Sequence, residues 1–122
     1  MRGNDFRRLV LAMPGAIEAS HMAHPDFRAH GRIFASLHDG DTHGMVKLTP
    51  DQQKELIDEH PAMFEPESGA WGRQGCTRVL LPAADQDVVG EAMTLAWQNA
   101  AAASRSASKS KTPAKRAARK RR

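Results

Sequence analysis

The chain has little of what builds disulfides or cysteine-based metal sites. Among its 122 residues there is one cysteine, Cys76. A single thiol excludes an internal disulfide and a zinc cluster made of cysteines. The six histidines are dispersed and form no His-Glu-x-x-His pattern, so neither a metal site nor a cofactor is predicted. A metal carrier or enzyme that gathers these histidines is the least favoured alternative.

Long apolar runs are also missing. None approaches the roughly 18 to 20 residues that a membrane-spanning helix needs. The first five residues are polar, and Arg7 and Arg8 interrupt the apolar stretch that follows, so no secretory signal is predicted. We therefore expect a cytoplasmic protein. Two tryptophans and four phenylalanines must supply much of the bulk of one modest core.

Acidic residues are absent from the last eighteen positions, which hold nine lysines and arginines. The other nine basic residues lie in residues 1–104 together with all 14 acidic ones. Residues 1–104, the body, therefore have a net charge of −5, and residues 105–122, the tail, have a net charge of +9. The tail also has no large apolar side chain to bury. Burial therefore cannot offset the conformational entropy that the tail would lose on folding. We expect a folded domain over residues 1–103 and a disordered tail over 104–122.

The body has the patterning of an α+β fold. Apolar spacing predicts helices over 4–13, over 50–60 and from about residue 85. Thr49, Pro50 and Gln52 form the clearest local signal, a capping box with proline at the first helical position. Strand patterns lie at 16–20, 27–30, 32–38, 45–48 and 77–81, with Gly31 and Gly40 expected at hairpin turns. We predict an antiparallel sheet packed by helices in a two-layer sandwich.

Several segments resemble the MmcQ/YjbR family of small bacterial proteins. They are residues 6–15, 24–28, 31–37, 47–50 and 69–75, and the resemblance covers about residues 4–100. Its most specific part is Trp71-Gly72-Arg73-Gln74-Gly75. The resemblance implies a fold similar to the frataxin-like CyaY superfamily and a DNA-binding role assigned largely by analogy of fold. This chain departs from the family pattern at Cys76, where relatives often have an aromatic residue.

The tail is the most readable functional feature. A flexible polycation binds the phosphate backbone of a nucleic acid by releasing condensed counterions, and it does not recognise the base sequence. The alternatives are an anionic lipid surface, an acidic protein partner, contact with the acidic body, or a solvated tail without function. The candidate DNA-binding residues of the tail are Lys109, Lys111, Lys115, Arg116, Arg119, Lys120, Arg121 and Arg122.

The folded domain offers four further candidates for nucleic-acid contact. Trp71 could stack on a base, Arg73 could bind a phosphate, and Gln74 could read a polar edge. Lys47 could join them on a basic sheet face together with arginines 28, 32 and 78. The alternative is that Trp71 fills the core, the glycines shape a hairpin, and the charges are simply the solvent side of the sheet.

No catalytic residue is predicted. No nucleophile motif surrounds Cys76, and a buried, inert thiol is the simpler interpretation. The segment 69–75 lacks the Gly-Lys-Ser/Thr ending of a phosphate-binding loop. We therefore expect a non-enzymatic, DNA-associated bacterial protein. The alternative is a small-molecule or protein-binding module.

Overall fold

An antiparallel sheet of six strands forms the frame of the molecule. The computed structural model describes residues 1–21, 24–38 and 42–111. The strands are β1 (Ile17–His21), β2 (His24–Ala29), β3 (Arg32–His38), β4 (His43–Lys47), β5 (Phe64–Pro66) and β6 (Cys76–Leu80). Their order across the sheet is β1-β2-β3-β4-β6-β5, and every neighbouring pair is antiparallel.

Within the described residues, four α-helices accompany the sheet. They are α1 (Gly3–Leu11), α2 (Pro50–Glu59), α3 (Gly69–Arg73) and α4 (Gln86–Lys111). The predicted α+β class, a sheet packed by helices, is confirmed. No helix in the described part of the chain is both long and apolar enough to cross a bilayer.

One face of the sheet carries the hydrophobic core. The strand register aligns Phe27, Ala35 and Val46 across β2, β3 and β4, and all three are fully buried. Helices α1 and α4 pack over this face, with Phe6 of α1 and Met93 of α4 buried there. Because side chains alternate along a strand, the intervening residues point to the opposite side, which we call the open face. A register shift between Phe27 and Arg28 interrupts this alternation in the β2–β3 pair, so that Ile33 and Ser36 of β3 both lie on the open face.

Two local signals in the sequence form the structures they predict. His30 and Gly31 both have positive φ, at 57° and 75°, and connect β2 to β3 as a two-residue turn. This geometry matches the twist of the flanking strands. At α2, the Thr49 side chain accepts from the backbone N–H of Gln52 at 3.2 Å, and the Gln52 side chain accepts from the backbone N–H of Thr49 at 3.0 Å. Gly40, expected at another turn, lies outside the described residues.

Three segments differ from the prediction. Phe64–Pro66 pairs with β6 as an edge strand, and Gly69–Arg73 is a short helix instead of part of a loop. Helix α4 continues to Lys111 and crosses the boundary expected after residue 103. The alanines before residue 104 favour this continuation of the helix. The division into a folded domain over 1–103 and a disordered tail over 104–122 stays a prediction. Residues 112–122 lie outside the described part of the chain, and their disorder stays a prediction.

Close packing between α1 and the sheet depends on a glycine in β4. A Cβ added at Gly44 would lie 2.5 Å from Cζ of the fully buried Phe6 ring. We expect Gly44→Ala to lower the free energy of unfolding by about 1–3 kcal/mol, the usual cost of overfilling a core. Urea denaturation measures this loss.

Gly90 supplies the matched control because a Cβ there meets no atom within 4 Å. It lies inside α4, so Gly90→Ala should raise stability by roughly 0.5–1 kcal/mol. Equal losses in the two variants would contradict the packing of Phe6 on β4.

Candidate functional site

A cavity of about 370 Å³ lies on the open face of the sheet, and we call it the open-face cavity. Its walls come from strands β2, β3, β4 and β6 and from helix α3. Pockets of this size commonly hold small molecules. The lining residues are His24, Pro25, Asp26, Ile33, Ser36, His38, Met45, Lys47, Glu67, Trp71 and Cys76.

Trp71 of α3 forms one wall of the open-face cavity. Its side chain is 63% exposed, so the interpretation that it fills the core is wrong. The Lys47 Nζ lies 6.0 Å from the centre of its ring, at the outer range of a cation–π contact. A flat aromatic surface and a cation therefore border the same cavity.

The backbone around Trp71 is held by close contacts that require glycine. A Cβ at Gly72 would overlap the carbonyl oxygen of Glu67, and one at Gly75 would overlap that of Leu48. The Gln53 side-chain amide of α2 donates to the carbonyls of Gly72 and Cys76, both at 3.0 Å. These contacts join α3 to α2 and β6, and they set the position of the tryptophan.

Three histidines from neighbouring strands form a row on the open face. The ring centres of His24 and His38 are 4.8 Å apart, and those of His38 and His43 are 5.1 Å apart. The Ser36 hydroxyl lies 2.7 Å from Nε2 of His38. Within the described residues, no group of three or more His, Cys, Asp or Glu side chains is arranged to hold a metal ion. Only the pairing of β2, β3 and β4 brings these imidazoles together, so their spacing in the sequence did not reveal the row.

The carboxylates around the cavity are paired with arginines. Asp26 is 4% exposed and accepts from Nε and Nη2 of Arg28 at 2.9 and 3.3 Å. Arg78 donates to Glu65 at 3.2 Å and to Glu67 at 2.8 Å. Two of the cations expected on a basic sheet face are thus engaged with acidic neighbours.

Burial and charge act in opposite directions on two groups that line the cavity. Burial raises the pKa of the Cys76 thiol, while the nearby charge of Lys47 acts to lower it, and the net shift is upward. The thiol is therefore protonated and weakly nucleophilic at neutral pH. Burial also acts to raise the pKa of Glu67, but its hydrogen bond and charge interaction with Arg78 lower it overall.

The sequence model of a family described as YjbR matches residues 11–99. The chain belongs to the YjbR family. Its fold is similar to that of protein DR2400 of Deinococcus radiodurans, which carries the family-model domain DUF419. That likeness has a TM-score of 0.63 at 17% sequence identity and covers 77% of this chain and 74% of the other. No curated protein matches the chain.

The predicted site residues of this YjbR protein divide into three groups. Lys47 and Trp71 meet at the open-face cavity. Arg73 and Gln74 are exposed beside it but do not line it. Gln74 borders a second cavity of about 290 Å³, between Arg32, Asn99 and the start of α2, and Lys47 lines this cavity as well. Lys109 and Lys111 lie in α4, and the other tail candidates lie outside the described residues.

The Glu67–Arg78 pair makes a pH-dependent contribution to stability. Since the folded-state pKa of Glu67 is lowered, this contribution is present at neutral pH and is lost as the pH falls through that lowered value. We expect the Glu67→Gln variant to be less stable than the native protein at pH 7 and to lose less stability on acidification. Urea midpoints between pH 7 and pH 3 measure this difference. Glu55→Gln, at an exposed position of α2, should retain the native profile, and parallel curves for all three proteins would contradict the pairing.

Proposed function

We propose that this YjbR protein is a non-enzymatic binding module whose open-face cavity holds a small, largely apolar molecule with an aromatic ring. The observation that carries the proposal is the exposed Trp71 ring at the wall of that cavity. It favours the small-molecule alternative over a fold that itself reads DNA.

The exposure of Trp71 contrasts with the burial of the phenylalanines in the core. All four phenylalanines are at most 1% exposed. Leaving a tryptophan ring 63% exposed forgoes the stabilisation that its burial would provide. A ring held in this way by α3 is available to stack on a planar partner.

The floor of the cavity supports an apolar occupant. Ile33, Met45 and Cys76 supply aliphatic and sulfur-containing surface between the strands. Thioethers and thiols are polarizable and make favourable contacts with aromatic rings. The polar groups are few and sit around this surface, which is the usual arrangement of a small-molecule site.

The chemistry of the lining supports binding over catalysis. Cys76 is a protonated thiol in buried surroundings. Ser36 and His38 are in hydrogen-bond contact, yet Ser36 lies in the middle of β3 between β2 and β4. The sheet ladder uses the backbone N–H groups there, and free N–H donors are what an oxyanion site requires.

Removing the ring of Trp71 tests the proposal. We expect Trp71→Ala to weaken binding of the neutral probe naphthalene-2-carboxamide by roughly three- to tenfold, the equivalent of about 0.5–1.5 kcal/mol of stacking. Two-dimensional amide NMR titration gives the affinity, and shifts at Met45 and Cys76 locate the probe.

Leu11→Ala is the control, since Leu11 is an exposed apolar residue on α1. It should bind the probe as the native protein does. Failure of the native protein to bind, or undiminished binding by Trp71→Ala, would rule out this use of the cavity.

We infer a second function from the tail, namely sequence-independent DNA association in a bacterial cytoplasm. Nine cations and no acidic residue between positions 105 and 122 support it. The acidic body would repel DNA, so the affinity would come from the tail through counterion release. Exposed Arg73 and Gln74 are the body residues best placed to add contacts.

Neutralising the tail tests this second function. If about six tail cations reach phosphates, log affinity for duplex DNA should fall with log salt at a slope near −5. Replacing Lys115, Arg116, Arg119, Lys120, Arg121 and Arg122 by Gln should remove most of that slope. Arg73→Gln should alter it by no more than about one. Weak, salt-insensitive binding by the native chain would exclude the polycation account.

A further inference from the structure

We propose that the molecule held in the open-face cavity is an aromatic anion. Its carboxylate-like group forms an ion pair with the Lys47 ammonium, and its ring stacks on Trp71. This inference rests on the proposed function of the same cavity. It adds the charge class of the ligand and the orientation in which the ligand lies.

The first step is that the charge of Lys47 is available. No carboxylate in the described part of the chain forms an ion pair with its Nζ, whose recorded contact is the Trp71 ring. The arginines on the same face differ, because Arg28 is engaged by Asp26 and Arg78 by Glu65 and Glu67. A cavity cation without an anionic partner is suited to a ligand that brings one.

The second step is that Lys47 is anchored at its backbone. It lies opposite Cys76 in the β4–β6 pairing, and its carbonyl accepts from the side-chain amide of Asn99 at 3.1 Å. The same amide donates to Gln52 of α2 at 2.8 Å. The ammonium is therefore presented from a fixed point on the sheet, and only its stem needs to adjust to a ligand.

The third step is the direction of the field across the cavity. The positive charge of Lys47 acts to lower the pKa of Cys76, and the negative charge of Glu67 acts to raise it. Both charges therefore act on a residue at the floor of the cavity. Arg78 is shared by Glu65 and Glu67, which leaves the β5 side more negative than the Lys47 side. An anionic group is accordingly favoured beside Lys47 and disfavoured beside Glu67.

The fourth step is that one ligand can reach both groups. The Trp71 ring and the Lys47 Nζ are 6.0 Å apart, and both line the same cavity. A fused two-ring aromatic with one carboxylate spans that distance, and its volume is well below that of the cavity. Neither a long polymer nor a large cofactor is needed to satisfy both contacts.

Three probes of nearly the same shape test the inference on the full chain. They are naphthalene-2-carboxylate, naphthalene-2-carboxamide and 2-naphthylmethylammonium, which carry a negative, a neutral and a positive group. At low salt we expect the carboxylate to bind roughly three- to tenfold more tightly than the carboxamide, and the ammonium to bind most weakly. In Lys47→Met the carboxylate should no longer bind more tightly than the carboxamide.

Two further variants separate the charge of Lys47 from general effects. Lys47→Arg should retain the preference for the carboxylate. Lys54→Met removes an exposed lysine of α2 that pairs with Asp58 outside the cavity, and it should also retain the preference. The basic tail is present in every protein, so its attraction for anions cancels when the variants are compared.

The outcomes distinguish this inference from the proposed function. If the native protein binds no probe, both are overturned. If it binds the carboxamide but shows no preference for the carboxylate, or prefers the ammonium, the ligand is not an anion and only the inference fails. A preference for the carboxylate that persists in Lys47→Met would also refute the inference, because a group other than Lys47 would then bind the carboxylate.

Discussion

Side chains alternate between the two faces of an antiparallel sheet, and the open-face cavity depends on that alternation. Burying Phe27, Val46 and Val79 in the core places Asp26, Lys47 and Arg78 on the opposite side of the sheet. A slip of one residue in register would exchange the two sets, exposing the core and burying charges. The stability of the core therefore also maintains the composition of the cavity.

Hydrogen bonds and charge pairing then determine how the cavity behaves chemically. Gln53 holds α3 against β6, so the Trp71 ring projects over the sheet instead of into the core. Arginines 28 and 78 engage the carboxylates of the open face, and Lys47 is left with an aromatic neighbour. The proposed recognition of a flat, negatively charged molecule, in preference to an extended nucleic acid, rests on this arrangement.

Local signals in the sequence were reliable wherever the structure depends on neighbouring residues. The capping box at Thr49 and the turn at Gly31 both formed, because their hydrogen bonds or dihedral angles involve only a few consecutive residues. Short elements were missed: β5 has three residues and α3 has five, too few to show a period. The core interpretation of Trp71 was wrong because a large apolar residue carries no local mark of the side on which it will lie.

The sequence by itself determined the α+β class, the membership of the YjbR family, and the contrast between an acidic body and a cationic tail. Composition, hydrophobic period and family motifs are properties of the amino-acid sequence, and they can be recognised without knowing which residues are in contact. Only the tertiary structure decided that Lys47, Trp71 and Cys76 line one cavity and that His24, His38 and His43 form a row. These groupings arise from strand register and from the packing of α3. Both depend on contacts between distant segments, which no local pattern encodes.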